Sequence, residues 1–280
     1  MKLRVILADH SGFCEGVARA VGEVRRRASA GEHLATLGPL VHNPQVVQEL
    51  EQMGVRVLRG PSEWRGETVV IRTHGVPPSV AAELKKMGAK ILDLTCPRVA
   101  RVQKLVERAA TEGRPVVIAG DPGHAESVGL KGFSQGRGVV VPSPDKLELP
   151  PGDHVLVVAQ TTQSEESFQA VVEEVRRRAA NVEVVQTICP FTVRRREGVK
   201  ALLGAVDAAV VVGGRMSANT KRLVEIFLSH GIKALLVETE SDLAEEMLRG
   251  ATVVGVAAGA STPPEVVHRV VEAIERLNAD

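Results

Sequence analysis

The sequence predicts an α/β protein with mainly parallel sheets, assembled from three versions of one unit. Three observations predict it. Apolar β-branched runs alternate with stretches that carry an apolar residue every three or four positions, each of three cysteines opens one of those stretches, and the strands end in glycine or polar residues at matched spacings. The chain of 280 residues is long enough for two or three compact units, and its 44% hydrophobic and 25% charged content is that of an ordinary soluble globular protein.

The elements follow in order along the chain. MKLRVILADHSGFC begins with an apolar stretch too short to span a membrane and has no small-residue cleavage pattern, which predicts a strand and a cytoplasmic protein. Cys14 then opens a helix with Val17, Val21, Val24 and Ala28 on one face, and the next apolar run ends at Gly38. VVIRT is a strand that runs into the turn RTHGVPP, residues 72–78. Cys96 opens a second helix through Val99, Val102, Leu105, Val106 and Ala109, and the strands PVVIAG and HVLVVAQ follow it, the latter leading into the polar loop AQTTQSEES at 159–167. Cys189 opens a third, less regular helix continued by Val199, Leu202, Leu203 and Val206. AAVVVGG and TVVGVAAG are the last strands, ending in GASTPPE at 259–265.

Laid over one another, the three cysteines keep register for about thirty residues. Five positions after each stands an arginine (Arg19, Arg101, Arg194), twenty-four after each a glycine (Gly38, Gly120, Gly213), and twenty-eight after each a polar residue (His42, His124, Ser217). The chain thus divides into three similar α/β domains at 1–95, 96–188 and 189–280, each with one cysteine, in a near-threefold arrangement. Ligands of parallel α/β sheets sit beyond the carboxyl ends of the strands, so the cysteines and about six polar loops are expected around one central place.

Composition narrows the chemistry. A net charge of +1 leaves no sequence-wide basic field for nucleic acid. The runs Arg25–Arg27 and Arg176–Arg178 are expected on solvated helix faces, whereas Arg194–Arg196 lies close to a cysteine. Three cysteines, none in a C-x-x-C pair, argue against a disulfide framework and a thioredoxin-type site. A thiol at a helix N-terminus near arginine is biased toward thiolate, and three such thiolates suit a soft metal centre: zinc with one further ligand, or an iron–sulfur cluster. A cube of four irons held by three cysteines keeps one iron without a protein ligand, and such an iron can bind substrate.

The remaining polar residues point to an anionic substrate. His42, His74 and His124 lie in turns beside glycine or proline, and Thr161, Thr162, Ser217, Asn219, Ser261 and Thr262 are donors at loop-to-helix transitions, suited to phosphate oxygens. Glu126, two residues after His124, is the carboxylate placed to give a proton in a reductive step.

In this order HSGFCEGV, GPLVHNP, RTHGVPP, DLTCP, GHAE, QTT, TIC, a glycine-rich SxN loop and GASTP resemble the 4-hydroxy-3-methylbut-2-enyl diphosphate reductases, which act last in the non-mevalonate isoprenoid pathway; the resemblance covers nearly the whole chain. It implies a pseudo-threefold trefoil around a central [4Fe–4S] cluster held by Cys14, Cys96 and Cys189. The iron that lacks a protein ligand would bind the allylic hydroxyl, and two electrons and protons would remove that oxygen as water, giving isopentenyl and dimethylallyl diphosphate. It also implies that His42, His74, His124, Ser217, Asn219 and Ser261 hold the diphosphate, that Glu126 delivers protons, that Thr161 orients the hydroxyl, and that His124 shares in catalysis. Electrons would come from a ferredoxin or flavodoxin, with neither nucleic acid nor membrane as partner. The sequence departs from the family where Ala125 replaces a usual proline, Ala218 a usual second serine, and Arg101 a common lysine. The first departure is expected to loosen the loop of Glu126. Two rival readings are a non-catalytic zinc-stabilised phosphate-binding module and a cysteine-nucleophile enzyme with His74 or His124 as base. Whether Arg19, Arg101 and Arg194 balance the charge of a cluster or attract an acidic redox partner turns on their burial.

Overall fold

In the computed structural model, residues 3–243 and 245–277 are described. Strands and helices alternate through the chain: β1 (Arg4–Leu7), α1 (Glu15–Ser29), β2 (Leu34–Leu37), α2 (Pro44–Gln52), β3 (Arg56–Leu58), β4 (Thr68–Ile71), α3 (Pro78–Lys86), β5 (Ile91–Asp93), α4 (Pro97–Thr111), β6 (Val116–Ala119) and α5 (Ala125–Phe133). The series continues with β7 (Gly138–Val141), β8 (His154–Ala159), α6 (Glu165–Arg178), β9 (Asn181–Val184), α7 (Pro190–Lys200), β10 (Ala208–Val212), α8 (Ala218–Ser229), β11 (Lys233–Val237), α9 (Glu245–Leu248), β12 (Val253–Ala258) and α10 (Pro264–Arg276).

The strands form three four-stranded sheets, ordered β3-β2-β4-β5, β7-β6-β8-β9 and β11-β10-β12-β1. Every pairing within them is parallel. The α/β class with three similar parallel sheets expected from the sequence is therefore the one the chain adopts. The three orders share one pattern, in which β5, β9 and β1 occupy the same edge place. β1 stands in the first segment of the sequence yet pairs with β12, with Arg4 opposite Val253 and Leu7 opposite Val256. The chain falls into two compact units, one of residues 1–21, 41–50 and 190–280 and the other of 22–40 and 51–189. The first contains the β11-β10-β12-β1 sheet and the second contains the other two.

The strands named from VVIRT, PVVIAG, HVLVVAQ, AAVVVGG and TVVGVAAG are inner strands, and the reason is burial; β1, named from the opening apolar stretch, lies at an edge. Val210, Val211 and Val212 of β10, Val116, Val117 and Ile118 of β6, and Val155, Val157 and Val158 of β8 have no exposed surface. A strand covered by helices on both faces reads as a continuous apolar run, and each such side chain contributes about 1.5–3 kcal/mol on burial. Edge strands such as β9, which alternates exposed and partly buried residues, carry only the weak period-two signal. The core clusters follow the sheet faces: Val210, Val212, Val254 and Val256 with Val266 and Val270 of α10 on one side of the first unit's sheet, and Val211, Leu223, Phe227 and Val199 on the other.

The cysteine helices bury the expected faces. Val17 and Val21 of α1, and Val99, Val102, Val106 and Ala109 of α4, are buried. The third helix is shorter than its spacing predicts: α7 stops at Lys200, Leu202 and Leu203 lie in the turns that follow it, and Val206 lies beyond Gly204, which turns the chain at a φ of +82°. The first two arginine runs form helix-surface pairs, Arg26 and Arg27 with Glu23 and Arg177 and Arg178 with Glu174. Such surface pairs add little to stability.

Arg195, in the third run, is only 2% exposed and donates from Nη2 to the carbonyl of Gly12 at 2.6 Å. On the same helix Gly198 lets α7 lie close to the segment after β1, because a Cβ there would meet the carbonyl oxygen of Asp9 at 2.6 Å. Gly198→Ala is expected to cost about 1–3 kcal/mol by overpacking, although alanine otherwise gains about 1 kcal/mol over glycine inside a helix. Urea unfolding checks it, as a lower midpoint at unchanged slope.

Candidate functional site

The three cysteines share one local geometry. Each follows an edge strand (β1, β5 or β9), and its backbone N–H donates to the carbonyl of a loop after the adjacent strand: Cys14 to Ala260 at 3.1 Å, Cys96 to Thr73 at 3.0 Å and Cys189 to Thr161 at 2.8 Å. The carbonyls of Cys14 and Cys96 accept from Ala18 and Ala100 in the following first turn, and Pro97 and Pro190 begin α4 and α7, where a missing N–H costs nothing. None of the three is in a disulfide, and all three are partly buried. The donor set fits a soft metal group: each sulfur belongs to a backbone-anchored residue at the start of a helix.

The aligned glycines have a common physical cause. A Cβ at Gly38 would lie 2.5 Å from Nη1 of Arg72, one at Gly120 would lie 2.9 Å from Oε1 of Gln160, and one at Gly213 would lie 2.8 Å from Oγ1 of Thr262. Each glycine makes room for a side chain from the loop of the neighbouring strand. Positions twenty-eight residues after the cysteines lie at helix starts. His124 caps α5 and Ser217 caps α8, while α2 is capped one residue later, by Asn43 Oδ1 accepting from Val46 N–H at 3.1 Å.

In the unit of residues 22–40 and 51–189, the loops after β4, β6 and β8 bring together His74, His124, Glu126 and Thr161. Glu126 is 1% exposed. Its Oε1 accepts from Thr161 N–H at 2.6 Å and its Oε2 from Thr161 Oγ1 at 2.8 Å. Burial pushes this carboxyl up to about 7, against the opposing pull of the two Thr161 donors. A carboxylic acid poised there can give a proton at neutral pH. His124 Nδ1 accepts from the Glu126 N–H at 3.2 Å, so a neutral His124 carries its proton on Nε2. The His74 and His124 rings meet edge to face with centroids 5.4 Å apart. Despite Ala125 at the first helical position, the loop of Glu126 is anchored on both carboxylate oxygens.

In the unit of residues 1–21, 41–50 and 190–280, the loops after β10 and β12 place Ser217, Asn219 and Ser261 beside the segment of His42. Ser261 Oγ donates to the His42 carbonyl at 3.1 Å, and a Cβ on Gly214 would lie 2.5 Å from that same oxygen. Ser217 Oγ accepts from Thr220 N–H at 3.3 Å. Asn219 is 5% exposed, yet neither Oδ1 nor Nδ2 has a hydrogen-bond partner among the described residues. A buried carboxamide in that state calls for a hydrogen-bond partner beyond the described residues. Ala218, at the place of the family's usual second serine, begins α8, where backbone N–H groups point out of the helix end.

Arg19, Arg101 and Arg194 are all exposed. Arg194 also lies over the Phe191 ring at 5.9 Å. The side chains of all three face solvent rather than an internal counter-charge. Sequence reasoning did not single out Gln160 and Arg195. Both sit inside motifs it used, QTT and the third arginine run, but only burial distinguishes them, at 0% and 2% exposure.

Comparison with known proteins adds the lineage. The family described as LytB protein matches residues 5–275. A protein of Aquifex aeolicus named 4-hydroxy-3-methylbut-2-enyl diphosphate reductase is 40% identical over 279 residues, covering 98% of this chain and 96% of the relative. One of the same name from Geotalea uraniireducens is 40% identical over 279 residues, covering 99% of each. Among solved structures, one described as (E)-4-hydroxy-3-methyl-but-2-enyl diphosphate reductase, the terminal enzyme of the non-mevalonate pathway, aligns with a TM-score of 0.73 at 38% identity over 98% of this chain and 99% of its own. The E-1-hydroxy-2-methyl-but-2-enyl-4-diphosphate reductase of Plasmodium falciparum aligns with a TM-score of 0.91 at 25% identity, over 97% and 88%.

Proposed function

The chain belongs to the LytB protein family, and on that premise we propose that it reduces 4-hydroxy-3-methylbut-2-enyl diphosphate to isopentenyl and dimethylallyl diphosphate. The observation that carries the reading is the linked set Glu126, Thr161 and Cys189: a buried acid near neutrality clamps the residue whose carbonyl holds a cysteine amide. Cys14, Cys96 and Cys189 would hold a [4Fe–4S] cluster with one iron lacking a protein ligand. When bound, that group supplies electrons and a coordination position for the allylic hydroxyl.

The chain's own residues do the rest. His42, His74, His124, Ser217, Asn219 and Ser261 would hold the diphosphate, the carboxamide of Asn219 finding there the partner it lacks among the described residues. Thr161, whose hydroxyl bonds Glu126, would orient the substrate hydroxyl, and Glu126 would give a proton to the departing oxygen. The C–O bond breaks, two electrons and two protons are consumed, and water and one of the two isomeric diphosphates leave. His124 assists by holding the N–H of Glu126 on its Nδ1.

The electron donor would be a ferredoxin or flavodoxin, whose acidic surface suits the exposed Arg19, Arg101 and Arg194. No helix among the described residues is long and apolar enough to cross a membrane, and a cytoplasmic location is part of the proposal. As repeat units of the sequence we keep 1–95, 96–188 and 189–280. A zinc-stabilised binding module is the weaker reading, because it has no use for a fully buried carboxyl held near neutrality.

Anaerobically purified, reconstituted protein is expected to be brown, to hold about four irons per chain, and to oxidise a reduced viologen dye only when the allylic diphosphate is present. A colourless, iron-free product after reconstitution, or one zinc per chain, would overturn the reading.

A further inference from the structure

We propose that Gln160 is a positioning residue for the proton donor, its carboxamide fixing the loop that carries Glu126 against the loop that carries Thr161 and Thr162. The inference rests on the functional reading above only in calling Glu126 the donor.

Gln160 has no exposed surface. Its Oε1 accepts from Asp121 N–H at 2.9 Å and from Ser127 Oγ at 3.0 Å, and its Nε2 donates to Thr162 Oγ1 at 2.7 Å. The orientation of the amide is fixed by chemistry. A backbone N–H can only donate, so the atom facing Asp121 is the oxygen, and the nitrogen must face Thr162. The Thr162 hydroxyl therefore accepts here, with its own hydrogen turned away from Gln160. The two residues held by Oε1 bracket Glu126, one upstream in its loop and one immediately after it. In the reverse direction Glu126 takes both donors of Thr161. The same two loops are thus tied twice, once by a side chain from each.

The other two sheets show that this brace is not needed to build the fold. The place before the cysteine-holding loop residue is Gln160 beside Thr161, Arg72 beside Thr73 and Gly259 beside Ala260. Arg72 lies over Gly38 as Gln160 lies against Gly120, while at Gly259 the space is taken by Thr220 Oγ1, 2.3 Å from where a Cβ would stand. One topology stands with a carboxamide, a guanidinium or no side chain. The carboxamide occurs at the sheet β7-β6-β8-β9, whose loops after β6 and β8 carry the buried acid and Thr161. The environment of Glu126 is burial and Thr161; the titratable groups on the loops around it are Asp121 and His124, upstream in its own loop, and His74 after β4.

Gln160→Leu and Gln160→Glu in the full chain test the inference. A displacement of about 1 Å at a proton donor lowers turnover by about a hundredfold, so Q160L is expected to lose about ten- to a hundredfold in kcat with little change in KM. Infrared titration of the Glu126 carboxyl, taken as the difference from E126Q and measured with and without cluster, is expected to move down from about 7 toward the ordinary carboxylate range as the pocket loosens. In Q160E a protonated carboxyl repeats all three bonds, with its O–H donating to Thr162, so turnover is retained in acid and lost as that carboxyl ionises. If Q160L is too unstable to assay, this pH-gated rescue in Q160E decides. Wild-type kcat and an unmoved Glu126 titration in Q160L, or a Q160E profile without the added limb, would overturn the proposal. Failure of the wild type to reduce the allylic diphosphate would instead overturn the functional reading, and the infrared titration would still decide the role of Gln160.

Discussion

Glu126→Gln is expected to lower turnover at neutral pH by about 10²–10⁴-fold, the usual worth of a positioned general acid, and at the same time to make the protein more stable in mild alkali. The variant keeps its geometry. A glutamine can turn its oxygen to the Thr161 N–H and its nitrogen to Thr161 Oγ1, which then accepts, so both contacts of Glu126 survive and only the proton is removed. The stability gain follows from linkage. The folded carboxyl titrates near 7 against an ordinary value of 4.5, so its protonated form is favoured by folding. That contribution is fully present below the unfolded value and is lost as pH rises through about 7. The loss is on the order of 3 kcal/mol at 1.36 kcal/mol for each unit between the two values. Wild type should therefore weaken between pH 4.5 and 7 while E126Q does not, and wild-type kcat should fall across the same upper limb. Chemical unfolding at pH 5 and pH 8 together with a kcat profile checks both. A variant that stays fully active, or whose stability follows pH as the wild type does, would remove Glu126 from the proton-transfer role.

Replacing Cys14, Cys96 or Cys189 by serine is expected to abolish reduction equally at all three positions while the chain still folds. Serine is a preferred residue at a helix start, so each following helix keeps or improves its cap. The backbone anchors to Ala260, Thr73 and Thr161 do not involve the side chain and remain. What disappears is a soft ligand from a set of three, and a hydroxyl does not replace thiolate for iron in a cluster. Iron content should drop with activity in each variant, and circular dichroism should stay that of the wild type. Loss at one position alone would favour a cysteine nucleophile instead.

Much of the fold is legible in the sequence because it is written in short-range periodicity. The five inner strands named from apolar runs are all present, and the faces of α1 and α4 are those their spacing gives, since a valine every three or four residues meets the same neighbour whatever the rest of the chain does. The end of α7 escapes the pattern for the complementary reason: Leu202 and Val206 are buried, and burial alone looks like helix periodicity until Gly204 turns the chain. Ala125 is expected from the sequence to loosen the loop of Glu126; instead two bonds to Thr161, from 35 residues away, hold it.

By itself the sequence determined the alternation of strands and helices, the threefold register of cysteine, arginine and glycine, the residue types at the candidate site and hence the family. Only the tertiary structure decided that β1 completes the sheet of β10, β11 and β12, that Arg195 rather than Arg194 is the buried member of its run, and that Gln160 is a brace where Arg72 and Gly259 are not. The physical reason is range. Helix and strand patterns depend on neighbours two to four residues apart, whereas a pKa near 7 or a buried guanidinium depends on partners such as Thr161 for Glu126 and Gly12 for Arg195, the latter 183 residues away in the chain.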